Sequence, residues 1–249
     1  MSGHSKWSQI KRQKGAADAK RGQLFTKLSR EVSVAVREGG DNPDMNPRLR
    51  LALQRARDSN MPADSVERAI KRGGGGSEGA NLVEANFEGY GPGGVAVLLV
   101  ALTDNRNRTV SEVRNVFARG GGSLGESGCV AWNFQAKGVI TVEAEDAEEL
   151  ALFAIDAGAE DVKVMDSSLE IYTSPEDLEK LRKAMEERGL AVVSAELSMV
   201  PNNTTMLDRK TALSALRLLD RLEELDDVQR VFTNADFPDE ALEQYGAQS

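Results

Sequence analysis

The residue types that most often carry enzyme chemistry are scarce in this chain. Its 249 residues include one histidine, His4, and one cysteine, Cys129. It therefore lacks the clustered imidazole and thiolate ligands of a zinc site and cannot close an internal disulfide. Gly89, Gly91 and Gly94 satisfy G-x-G-x-x-G, as do Gly120, Gly122 and Gly125. The first set joins two predicted strands and the second follows a predicted helix, so neither offers a helix amino terminus to a pyrophosphate. Gly121, Ser123 and Gly125 spell the G-x-S-x-G of a nucleophile elbow. That turn needs a strand before it, a helix after it and a histidine base, and the one histidine stands at position 4. The acidic pairs Glu148-Glu149, Glu186-Glu187, Glu223-Glu224 and Asp226-Asp227 fall on predicted helix surfaces or turns. Nothing apolar there would split their pKa values for acid and base work, and they read as solvated faces. The expectation is a protein that is not an enzyme and uses no cofactor and no metal.

What the residues do offer is phosphate chemistry. Residues 1–30 hold Lys6, Lys11, Arg12, Lys14, Lys20, Arg21, Lys27 and Arg30 against a single acid, Asp18. Through Arg72 the balance is 16 basic to 8 acidic residues, and the rest of the chain holds 15 basic and 32 acidic ones. The net charge of −9 thus conceals a basic head on an acidic body. Clustered lysine and arginine can track phosphates, while Trp7 offers a stacking face for a base. An acidic remainder repels phosphate, which makes the concentration of charge in the head informative. A second cluster lies at Thr103-Asp-Asn-Arg-Asn-Arg-Thr109, where Arg106, Arg108 and the nearby Arg114 sit at a predicted strand-to-helix junction. It reads equally as a phosphate contact or as a helix cap with surface arginines. The candidate nucleic-acid-binding residues are Lys6, Trp7, Lys11, Arg12, Lys14, Lys20, Arg21, Lys27, Arg106, Arg108 and Arg114.

Among the elements that must hold these side chains, residues 1–15 have little to bury and are expected to form a mobile tail or a short frayed helix. Leu24, Leu28, Val32 and Val36 recur at intervals of four, which predicts a helix from about 16 to 38. Asn46 before Pro47 reads as an N-cap with proline at the first helical position, and Pro62 opens a third helix that ends at the glycine run from Gly73. Beyond the glycines the period becomes that of strands, Leu82–Glu88 and Val95–Thr103, followed by a helix over 109–119 and a strand over Val130–Phe134. Residues 139–199 then read β-α-β-β-α-β, the ferredoxin-like split motif, with Asp146 and Glu149 capping its first helix. The helix over 208–225 and the strand Val228–Thr233 are too small to bury an apolar face alone and are expected to complete the sheet of residues 80–135. The fold class is therefore α+β with three domains. They are a basic helical domain over 1–76, a discontinuous α/β domain over 80–135 plus 206–240, and an inserted ferredoxin-like domain over 137–200. No apolar run approaches the roughly 20 residues of a bilayer span, and a soluble, cytoplasmic protein with no membrane partner is expected.

Long motifs carry a family resemblance. Ser2-Gly-His-Ser-Lys-Trp7, Asp18-Ala-Lys-Arg-Gly22, Asn46-Pro-Arg-Leu49, Glu67-Arg-Ala-Ile-Lys-Arg-Gly73, Glu88-Gly-Tyr-Gly-Pro-Gly-Gly94, Leu102-Thr-Asp-Asn-Arg-Asn-Arg-Thr109 and Leu225-Asp-Asp-Val228 resemble the YebC/PmpR family over essentially the whole chain. The resemblance implies a DNA-binding transcriptional regulator. It also implies an alternative, because the family includes a mitochondrial translational activator and ribosome-associated factors that relieve stalled elongation. Either way the expected partner is nucleic acid, DNA or ribosomal RNA, the latter within the ribosome. The basic head agrees with both, since phosphate attraction carries no sequence information.

Overall fold

The computed structural model describes residues 18–75, 82–143, 147–165 and 168–247. The tail or frayed helix expected over 1–15 and the cap expected at Asp146 lie outside them. The chain divides into two compact units, one over 132–203 and the other formed by the segments on either side.

The larger unit begins with three helices, α1 (Asp18–Gly39), α2 (Pro47–Asp58) and α3 (Ala63–Gly73). Val32, Ala35 and Val36 of α1 bury against Leu49, Ala52 and Ala69, and Leu28 joins Ala56 and Met61 in a second small cluster. Asn46 fixes the corner between α1 and α2. Its Oδ1 accepts from Leu49 N at 3.0 Å, while its Nδ2 donates to Ala35 O and Gly40 O, so one buried side chain caps one helix and terminates the other. At the far corner Ser33 Oγ donates to Ala69 O at 2.8 Å. Gly73 permits this close approach of α3 to α1, because a Cβ there would meet Ser33 O at 2.5 Å.

The same unit continues into β1 (Val83–Tyr90), β2 (Ala96–Thr103), α4 (Arg106–Arg119) and the two-residue β3 (Ser123–Leu124). β1 and β2 are antiparallel, Phe87 opposite Leu99, across a turn in which Gly93 and Gly94 take φ of 77° and 74°. The strand expected over Val130–Phe134 is instead a loop and a 3-10 turn, Ala131–Asn133. Its amides are already used: Gly128 N, Val130 N and Ala131 N all donate to the buried carboxylate of Glu88, at 2.6, 2.8 and 2.8 Å. Burial pushes the Glu88 pKa up, but these three backbone donors outweigh it and hold the group below its usual range.

The smaller unit holds β4 (Phe134–Glu143), α5 (Ala147–Asp156), β5 (Asp161–Val164), β6 (Ser168–Thr173), α6 (Leu178–Glu187) and β7 (Val192–Pro201). Its sheet runs β5-β6-β4-β7, antiparallel throughout, which is the ferredoxin-like βαββαβ arrangement. Ile140, Val142, Leu169 and Ile171 are buried in it, as are Leu178, Leu181 and Met185 of α6.

The chain then returns to the larger unit through β8 (Thr205–Met206), α7 (Arg209–Glu223), β9 (Val228–Thr233), β10 (Ala235–Asp236) and α8 (Asp239–Ala247). β9 pairs with β2, Val231 opposite Leu99, and completes a sheet of order β3-β1-β2-β9. Phe87, Val97 and Leu99 pack with Phe117 of α4, Leu216 and Leu219 of α7 and Tyr245 of α8 in one core. The fold is thus α+β, with a helical amino-terminal domain, a discontinuous α/β middle domain and a ferredoxin-like domain inserted into it.

Candidate nucleic-acid interface

The segment Thr103–Thr109 owes its shape to short hydrogen-bonding side chains. Thr103 Oγ1 accepts from Asn105 N at 2.9 Å, and Asn105 Oδ1 accepts from Arg108 N at 3.1 Å, which starts α4 immediately after β2. Arg106 is therefore the first helical residue. Arg106 and Arg114 are exposed, and among the described residues neither has a hydrogen-bonded or ionic partner.

Arg108 has a different place. Its Nη2 donates to Asp227 Oδ2 at 2.9 Å and to Asp104 Oδ1 at 2.8 Å. Asp227 is 4% exposed and also accepts from Thr103 Oγ1 at 3.0 Å, from Thr109 Oγ1 at 2.8 Å and, on Oδ1, from Arg30 Nη1 at 3.0 Å. The solvated Asp226-Asp227 pair expected from sequence is corrected here. Asp227 is a buried acceptor, because two helices distant in sequence aim donors at it. Burial raises its pKa, and the hydrogen bonds from Arg108, Thr109 and Thr103 outweigh that and hold it below the usual carboxylate range.

Arg30 also donates to Asp226 O, and Lys27, one turn earlier, donates its Nζ to Glu223 O. Glu31, between two arginines, accepts from Arg55 at 2.5 Å and from Arg230 at 3.3 Å. Basic residues of the head and of the junction thus meet on the turn between α7 and β9, with Asp227 as the common acceptor. Of the sequence-selected residues, Lys27 and Arg108 have partners within the fold, whereas Arg21, Arg106 and Arg114 are exposed and have none among the described residues. Lys6, Trp7, Lys11, Arg12 and Lys14, and the side chain of Lys20, lie outside what the structure describes.

Asp227 was missed in the sequence, and so were Arg68 and Arg72, which share one face of α3 at a spacing of four. The exposed surface of α3 is mixed, since Asp64 and Glu67 stand on its first turns. Among the described residues no group of three or more His, Cys, Asp or Glu could hold a metal ion, and no helix is long and apolar enough to cross a membrane.

Comparison with known proteins places this arrangement among relatives. A family model described as the TACO1/YebC protein N-terminal domain matches residues 5–76, and one described as the TACO1/YebC second and third domain matches residues 82–235. A protein of Dehalococcoides mccartyi named a probable transcriptional regulatory protein is 59% identical, with 100% of both chains covered. One of Halothermothrix orenii with the same name is 53% identical over 98% of each. The crystal structure of a conserved hypothetical protein from Aquifex aeolicus matches with a TM-score of 0.81 at 50% identity, covering 89% of this chain and 92% of that one.

Proposed function

The chain belongs to the TACO1/YebC family, and from that premise we propose that it is a non-enzymatic regulator of gene expression that binds nucleic acid, acting on DNA in transcription. Relatives that match it end to end carry the name of transcriptional regulators. The observation that carries the reading is the shared acceptor Asp227, which ties the basic helix α1 to the arginine-bearing start of α4 while Arg21, Arg106 and Arg114 have no acidic partner among the described residues. A guanidinium with no carboxylate on it meets a phosphate without first giving up a salt bridge.

A second reading, a ribosome-associated translation factor on ribosomal RNA, is favoured by α3. A recognition helix puts its first turns at the base edges of the major groove, and Asp64 and Glu67 stand there, where they would meet phosphate on both sides. Irregular RNA makes no such demand on one helix.

Ultraviolet crosslinking in living cells, followed by sequencing of the attached nucleic acid, separates the two. Reads concentrated on promoter DNA support the first reading, and reads concentrated on ribosomal RNA replace it with the second. With about six phosphate contacts, log affinity should fall against log salt with a slope of about −4 to −5. A slope near zero rejects both.

A further inference from the structure

A cavity of about 480 Å³ opens between α1 and α3, within the roughly 300–1,000 Å³ common for small-ligand sites. Ser65, Arg68 and Arg72 follow one another at helical spacing along α3, with Met61 just before its start, and Phe25 and Arg30 of α1 stand on the other side. No carboxylate is among the described residues that line it, in a chain whose acids outnumber its bases 40 to 31. The floor is apolar: Met61 is 8% exposed and Phe25 is half-buried.

The arginines differ in how much donor capacity they keep. Arg30 commits Nη1 to both Asp227 and the Asp226 carbonyl, which fixes its wall and leaves Nε and Nη2 available. Arg68 is laid along its own helix, with Nε on Asp64 O at 3.1 Å and Nη2 on Ser65 Oγ at 3.0 Å, which leaves Nη1 unspent. Arg72 is exposed and, among the described residues, has no partner.

We propose that this cavity holds one unpaired nucleotide, its base against Phe25 and Met61 and its phosphate on Arg68 and Arg72. An aromatic face takes any base by stacking, and guanidinium forks match phosphate oxygens. A free anion alone would leave the apolar floor unused, and an apolar ligand alone would leave the guanidiniums unused. A base within a duplex is stacked and paired and does not reach such a floor, so the cavity selects unpaired or extruded nucleotides. The inference rests on the nucleic-acid reading above and adds what kind of nucleotide is gripped and where.

The test uses the full chain and four probes: a fully paired RNA hairpin, the same hairpin with one bulged adenosine, the DNA version of the bulged hairpin, and free adenosine monophosphate. The bulged RNA hairpin should bind about tenfold more tightly than the paired one, the low end of what one stacked base contributes. In Phe25→Leu, and independently in Arg72→Ala, whose side chain is exposed, that ratio should fall to near one. An equal preference for the DNA bulge supports the cavity and shows indifference to the sugar. Equal wild-type affinity for paired and bulged hairpins overturns the proposal and leaves the nucleic-acid reading intact. If no hairpin binds but adenosine monophosphate does, and Arg72→Ala abolishes it, the cavity stands and its source is a free nucleotide. If nothing binds, both are overturned.

Discussion

Replacing Asp227 with alanine tests whether the turn between α7 and β9 joins the helical domain to the middle domain. The carboxylate accepts four side-chain donors. Arg30 and Arg108 keep 23% and 45% of their side-chain surface in water, so solvent takes over their donors and the two ion pairs together contribute about 1 kcal/mol. The threonines are the larger loss, because Thr103 and Thr109 are fully buried. Thr109 can turn its proton to Asn105 O at 3.1 Å and Thr103 can turn its own to Thr109 Oγ1 at 2.8 Å. What is lost is therefore the surplus of a hydrogen bond to a charged acceptor over one to a neutral oxygen, about 1 kcal/mol for each threonine. The expected total is about 3 kcal/mol, a fall of about 6–12 °C in the melting temperature of a unit this size. Scanning calorimetry should show that fall in the transition of the larger unit alone, with the transition of residues 132–203 unmoved. The pH dependence follows from the depressed native pKa. The stabilisation is fully present above the unfolded pKa of about 4 and is lost as pH falls through it toward the native value. The gap between wild type and Asp227→Asn should therefore be constant near neutrality and close below about pH 4. A fall under about 2 °C for Asp227→Ala, or a gap that widens in acid, would refute the reasoning.

Three further outcomes are expected. Gly73→Ala should cost about 1–3 kcal/mol in thermal unfolding, because the new methyl meets Ser33 O at 2.5 Å and Val36 Cβ at 2.7 Å. The double variant Arg106→Ala/Arg114→Ala should reduce the salt slope of nucleic-acid binding by about 1.4–1.8, two contacts' worth. Its melting temperature should stay within about 1 °C of wild type, since neither side chain has a partner to lose among the described residues. A chain ending at Asn203 lacks β9 and α7 and so uncovers Val97, Leu99 and Phe117. It should bind a hydrophobic dye and lose the larger unit's cooperative transition, and an unchanged melt would contradict the pairing of β2 with β9.

Much of the fold is legible because the signals are local. Asn46-Pro47 announces the start of α2 by its own chemistry, and the order β-α-β-β-α-β emerges from alternating periods within one continuous stretch. The return of β9 was accessible for another reason, since a helix and strand with an apolar face need a host. The two-residue strands and the nine-residue helix Asp239–Ala247 were missed because so few residues carry no period. At the site, Arg106 and Arg114 stood out as arginines within an acidic region. Asp227 did not, because its partners lie 197 and 119 residues away, and only the folded chain turns a doubly acidic turn into a buried acceptor. The wall of Arg68 and Arg72 was hidden likewise, since half of its cavity belongs to another helix.

The inserted domain leaves its host by neighbouring strands, with Phe134 directly opposite Pro201. Folding of residues 132–203 thus replaces 72 residues of the path that the host must close by a short span. With these residues folded, the connection between Thr103 and Val228 shrinks to somewhat under half its length. Loop closure costs about 0.6 kcal/mol per doubling of length, so the entropic barrier to joining β2 and β9 falls by roughly 0.7 kcal/mol. That is about threefold in the equilibrium for closure. The insertion serves its host as a clasp, and the order of events during synthesis suits it: residues 132–203 emerge and can fold before β9 exists.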